Sequence, residues 1–95
     1  ECSGIFTKTD LAKKHLCGSV KKVLISAPSP DAPMLVYGVN HETIRADQDV
    51  ISNDSFTTKD TAGVVKVLHD TFGLQSGILT TVHSVTATQK TVHRS

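Results

Sequence analysis

An α/β fold is what this sequence predicts, and three observations carry it. Val23-Leu24-Ile25 and Val50-Ile51 are short, continuous apolar runs of the kind found in parallel strands covered on both faces. Ala62, Val65, Leu68 and Phe72 recur at three- and four-residue spacing, which marks a helix from about Thr57 that stops at Gly73. Strand and helix signals also alternate along the chain, as they do in βαβ units.

Taken in order, Glu1-Cys2-Ser3-Gly4 reads as the tail of a strand turning into a connection. Thr7-Lys8-Thr9-Asp10 has capping-box spacing, with Ile5 or Phe6 placed to staple onto Leu11. Leu11, Ala12, His15 and Leu16 share one face, and Gly18 is a natural stop, so a helix of about 10 residues is expected. Lys22–Ser26 is the first full strand. Pro28, Pro30 and Pro33 forbid regular pairing and predict an ordered loop over Ala27–Pro33. Met34-Leu35-Val36-Tyr37 resumes a strand until Gly38 breaks it, and His41–Asp49 is a polar surface connection. Val50-Ile51-Ser52 is the next strand and leads into the helix described above. Gly63 within that helix costs about 1 kcal/mol relative to alanine. Ile78–Thr86 is rich in β-branched residues and predicts a long strand.

Composition narrows the function classes. The 95 residues are 38% hydrophobic and 20% charged, which suits a packed domain, although a chain this short buries only roughly 60–65% of its unfolded surface. A net charge of +1, three Phe, one Tyr and no Trp leave neither an electrostatic footprint nor a stacking surface, so no nucleic-acid partner is expected. No apolar run approaches the roughly 20 residues of a membrane span, so no membrane partner is expected either. Cys2 and Cys17 match no metal-ligand spacing, no metal site is expected, and a reducing, cytoplasmic setting is the default.

The chemistry concentrates in Ser52-Asn53-Asp54-Ser55-Phe56-Thr57-Thr58-Lys59-Asp60, where a strand runs into a helix. A helix start exposes free N–H groups and the positive end of a dipole, which together hold an oxyanion, a thiolate or a phosphate. His83 lies on the later apolar segment, and a histidine brought near a helix N-terminus is placed to activate a nucleophile. For His83 an ordinary surface histidine is the commoner case, and for the hydroxyls of this region plain capping and strand packing.

This stretch resembles the active-site segment of the phosphorylating glyceraldehyde-3-phosphate dehydrogenases, which reads Ser-Asn-Ala-Ser-Cys-Thr-Thr-Asn-Cys in that family. The resemblance continues through Ile25-Ser26-Ala27-Pro28-Ser29, Asp31-Ala32-Pro33-Met34, Gly38-Val39-Asn40-His41-Glu42 and Thr80–Val92, in the family's order and spacing. It implies a fold in two parts: residues 1–55 as the C-terminal portion of a Rossmann-type NAD-binding domain, and residues 56–95 as the first helix and strand of the catalytic domain. It also implies the glycolytic reaction, in which an active-site cysteine attacks glyceraldehyde 3-phosphate, hydride passes to NAD, and inorganic phosphate cleaves the thioester. Subunits of the family assemble as tetramers.

Residue by residue, the resemblance puts His83 at the thiol-activating position and Phe56 at that of the nucleophile. Ser55, Thr57, Thr86 and Thr88 fall on the substrate- and phosphate-binding run. Ser3, Gly4 and Ser26 fall on the nicotinamide side of the cofactor site.

The departures are as informative. Phe56 stands where the family has its cysteine, Asp60 replaces a second cysteine, Lys59 an asparagine and Asp54 an alanine. Thr61 and Gly63 stand for leucine and proline. No GxGxxG occurs; the segment that holds it in the family would precede Glu1, and the arginine of the phosphate sites would follow Ser95. The expectation is a chain inactive alone. An alternative is a non-catalytic module that associates with intact family subunits, and a third reading is a hydrolase using Ser55 with His83.

Overall fold

The computed structural model of the protein describes residues 1–85. Its elements are α1 (Thr9–Ala12) running into a 3₁₀ turn at Lys13–His15, strand β1 (Val23–Ile25), a 3₁₀ turn at His41–Thr43, strand β2 (Val50–Ser52) and helix α2 (Phe56–Phe72). The fold class is α/β, around a small parallel sheet.

β1 and β2 pair in parallel with Val23 opposite Val50, Leu24 opposite Ile51 and Ile25 opposite Ser52. Single residues extend the sheet at both edges. Glu1 donates its N–H to the Leu24 carbonyl at 2.7 Å and accepts from Ser26 N–H at 2.9 Å, the bonding pattern of a parallel bridge. On the far side Ser52 N–H donates to Pro33 O at 2.8 Å and Leu35 N–H to Ser52 O at 2.9 Å, which sets Met34 parallel to Ser52. The order across the sheet is therefore Glu1, β1, β2, Met34.

Ala12, Val23, Ile25, Ala32 and Val50 form the core, with Leu16 and Ala27 packed against it. Only one sheet face is covered. Val23 and Ile25 are buried, but Leu24 between them is 54% exposed. The continuous apolar run predicts two covered faces. α2, the longest helix described, contains no buried residue, so nothing it presents closes the second face.

Three elements differ from the sequence expectation. The first helix has four α-helical residues and three in 3₁₀ geometry, and no capping box forms: Lys8 is the N-cap and makes no side-chain cap. The cap comes instead from Asp31 Oδ1, which accepts both Thr9 N–H and Thr9 Oγ–H at 2.9 Å. Thr7 is engaged elsewhere, its carbonyl accepting from the buried Ser29 hydroxyl at 2.6 Å. That hydroxyl also accepts from Ala32 N–H at 3.0 Å, which orders the proline loop as expected.

The expected strand at Met34–Tyr37 reduces to one bridge. Asn40 Oδ1 takes Val36 N–H at 2.6 Å, and the carbonyl of Val36 accepts from Val39 and Asn40 N–H. These local bonds use the groups that a neighbouring strand would need. The expected strand from Ile78 is also absent over 78–85; Thr86 lies outside the described residues. A strand exists only as part of a ladder, and none of the described residues pairs with this segment. Ile78 and Val82 are almost fully exposed.

α2 matches its prediction closely. It ends at Gly73, whose φ of +74° suits glycine, with Gly73 N–H bonded to His69 O and Leu74 N–H to His69 Nδ1. Among the described residues no helix is long and apolar enough to cross a membrane.

Candidate functional site at the start of helix α2

Because β1 and β2 are parallel, their carboxyl ends meet at one edge of the sheet. Ser26 follows one strand there and Asn53 the other. Asn53 N–H continues the ladder to Ile25 O at 2.8 Å. Ser52 is fully buried; its hydroxyl donates to Ala27 O at 2.5 Å and accepts from Asp54 N–H at 3.2 Å. The turn into the helix is thus anchored from beneath.

The direction change falls on Asp54, among the described residues the one non-glycine residue with positive φ, at 57°. Aspartate is among the side chains that tolerate this region, and its Oδ1 accepts Ser55 N–H at 2.6 Å. Ser55 is then the N-cap in extended geometry. Its hydroxyl accepts Thr58 N–H at 3.1 Å and shares a hydrogen bond with Thr58 Oγ1 at 2.7 Å, while its carbonyl accepts Lys59 N–H at 3.1 Å. The N–H groups of Phe56 and Thr57, the first two helical residues, make no hydrogen bond among the described residues. Unbonded N–H groups at a helix start are donors available to an anion.

Phe56, at that first helical position, is 81% exposed. Lys59 places Nζ 5.4 Å from the centroid of its ring, a cation–π contact that adds a positive charge to the helix start.

Of the residues singled out in the sequence, Ser26, Ser55, Phe56 and Thr57 come to the same sheet edge. Ser3 and Gly4 follow Glu1 beside β1. Ser3 is not open there, because both its N–H and its hydroxyl donate to Glu1 Oε1. With His15 Nε2 2.7 Å from Oε2, these bonds hold the Glu1 carboxyl down at about 2, the Ser3 hydroxyl contributing most. Gly4 has φ of +73° and open space where a side chain would stand. His83 is exposed; its Nδ1 lies 2.5 Å from Ser84 O, and among the described residues no hydrogen bond joins it to Ser55, Phe56 or Thr57. Thr86 and Thr88 lie outside the described residues.

Sequence reasoning placed Ser52 in the stretch but missed its anchoring role, and it missed the capping role of Asp31. A small hydroxyl residue closing an apolar strand is the available signal for the first; the second joins residues far apart in the chain and left no local signal.

The family described as glyceraldehyde 3-phosphate dehydrogenase, C-terminal domain, matches residues 55–95, beginning at the N-cap of α2. The glyceraldehyde-3-phosphate dehydrogenase of Cochliobolus lunatus is 56% identical over 92 residues. The cytosolic enzyme of Craterostigma plantagineum is 58% identical and that of Mastigamoeba balamuthi 59%. Each match covers 97% of this chain and 27% of the relative, so the chain spans about a quarter of the length of these relatives. With this identity along nearly all its residues, the chain belongs to the glyceraldehyde-3-phosphate dehydrogenase family.

Proposed function

We propose that this chain keeps the substrate- and phosphate-facing helix start of a glyceraldehyde-3-phosphate dehydrogenase and has lost its covalent chemistry. The observation that carries the reading is Phe56: an exposed phenyl ring at the first position of α2, where the family resemblance puts a thiolate. A phenyl ring has no lone pair to add to an aldehyde, so no hemithioacetal forms. Loss of a nucleophile costs on the order of a millionfold in turnover. His83, at the thiol-activating position, then has no thiol to deprotonate.

What remains is binding. Ser55 and Thr57, with the N–H groups of Phe56 and Thr57 and the Lys59 ammonium, form a donor-rich, positive corner suited to the phosphate of glyceraldehyde 3-phosphate or to inorganic phosphate; Thr86 and Thr88 join them by family resemblance. NAD is the family's cofactor and supplies the hydride acceptor when bound. Gly4 and Ser26 are the residues of this chain that fit its nicotinamide side, since both lie open at the sheet edge. Ser3 fits less well, with both of its donors committed to Glu1. The division into the end of a Rossmann-type NAD-binding domain (1–55) and the start of a catalytic domain (56–95) is supported by the parallel sheet and by a family match that begins at residue 55. The cytoplasmic setting and the glycolytic parent activity follow the family.

The test is NADH formation from glyceraldehyde 3-phosphate, NAD and phosphate by the purified chain. No NADH is expected. Steady growth of NADH absorbance in proportion to the protein added would overturn the proposal.

A second reading, association with intact subunits of the tetrameric family, is favoured by the uncovered apolar residues of α2 and beyond: Val64, Val67, Phe72, Leu79 and Val82 are each more than half exposed. Co-purification with a full-length relative supports it, and a chain that never co-elutes with that relative at micromolar concentration rules it out.

A further inference from the structure

The chain's two cysteines are both exposed and both free, and they line the same open cleft of about 690 Å³. The bridge between Glu1 and β1 puts Cys2 at the edge of the sheet, and the turn after α1 brings Cys17 to the cleft from the other side. The walls are pinned. His15 Nε2 lies 2.7 Å from Glu1 Oε2, and the His15 ring meets Phe6 edge to face at 5.5 Å. Cys17 N–H donates to His15 O at 2.9 Å and its carbonyl accepts Val20 N–H at 3.1 Å, so the backbone carrying this thiol is held at both polar groups.

The charges lining the cleft are unequal. The Glu1 carboxylate is occupied by Ser3 and His15. Lys22 lends the cleft its stem, while its ammonium donates to Ala46 O at 2.5 Å and Gln48 O at 2.8 Å. Lys14 makes no ion pair among the described residues and belongs to the same short segment as Cys17. A ligand entering the cleft therefore meets a cation near Cys17 and a carboxylate adjoining Cys2.

We propose that this cleft is a thiol–disulfide exchange site for a small disulfide bearing carboxylates, with Cys17 as the attacking thiol and Lys14 as the residue that positions the ligand. The Cys17 thiolate attacks one sulfur of the incoming disulfide. The ligand's S–S bond breaks as the protein–ligand S–S bond forms, and the other half leaves as a thiolate that takes up a proton. The Cys17 sulfur is oxidised from the thiolate to the disulfide level as the leaving sulfur is reduced from the disulfide to the thiolate level, so the step needs no further oxidant.

Glutathione disulfide is the probe, with hydroxyethyl disulfide as its neutral counterpart, and intact mass with peptide mapping the readout. Cys17 is expected to acquire the glutathione adduct at least roughly threefold faster than Cys2, and dithiothreitol to remove it. Lys14→Glu is expected to slow the glutathione reaction roughly three- to tenfold while leaving the neutral disulfide's rate nearly unchanged. In urea the preference for Cys17 should fall, because the cleft that holds a ligand against Lys14 and Cys17 together is lost. Equal labelling of Cys2 and Cys17 in the folded chain, equal slowing of both disulfides by Lys14→Glu, or a preference that persists in urea would each overturn the proposal.

Discussion

Asp31 caps Thr9 from 22 residues away, its Oδ1 accepting both the backbone N–H and the hydroxyl of that residue at 2.9 Å. The contact ties the proline loop to the first helical turn. It also explains how a helix too short to be stable alone holds its place beside β1.

Stability in acid should follow from this pair. The Asp31 carboxyl is held below its ordinary value, first by Thr9 N–H and then by the Thr9 hydroxyl. Glu1 is held down at about 2 by Ser3 and His15. Both groups bind protons more weakly folded than unfolded. Their contribution is thus fully present above the unfolded values and is lost as pH falls through the folded ones. A carboxyl-carbon NMR titration should show both midpoints below those of the urea-unfolded chain, with loss of helical signal on the way down to about pH 2. Coincident midpoints in the two states would show that neither contact forms in solution.

Removing the α2 N-cap should be measurable. Ser55→Ala leaves Thr58 N–H without its acceptor and Thr58 Oγ1 without its partner, and such substitutions cost about 0.5–2 kcal/mol. A lowered urea midpoint and reduced ellipticity are expected, with Ser55→Asp restoring most of the loss. An unchanged midpoint would mean that Ser55 does not cap this helix.

A thiol at the head of α2 should be unusually reactive. In Phe56→Cys the sulfur would stand at the first helical position near unbonded N–H groups and the Lys59 ammonium, both of which favour the thiolate. Its alkylation by iodoacetamide near neutral pH should run roughly tenfold faster than that of Cys17. Equal rates would show that the helix start lacks the polarity that binding a phosphate requires.

Where structure and sequence agree, the signals were local. The apolar-periodic run from about Thr57 and the Gly73 after it bound α2 to within a residue, and the valine and isoleucine runs locate both strands. Where they part, the deciding interaction was distant or absent. Asp31 replaced the capping box of Thr7 and Asp10, and Asn40 took the N–H that would have extended the Met34 strand. The helix start at Ser55 was legible from residue types alone. Its anchor, the buried Ser52 hydroxyl on Ala27 O, depends on the sheet register, which the sequence does not display.

The same reasoning makes 73–85 a self-association hazard. The stretch contains no Lys, Arg, Asp, Glu or Pro, and Ile78, Leu79, Val82 and Val85 are each about two-thirds exposed or more. β-branched residues with unpaired backbone and no charge are what strand-to-strand pairing between copies requires. The chain should therefore sediment as dimers and larger species at tens of micromolar. Val82→Lys should shift it toward monomer, because two lysines facing each other across a pair of copies repel. The substitution removes an almost fully exposed side chain, so the fold of 1–72 should survive it, with unchanged helical signal. A wild-type chain that remains monomeric under the same conditions would show that the segment does not pair between copies.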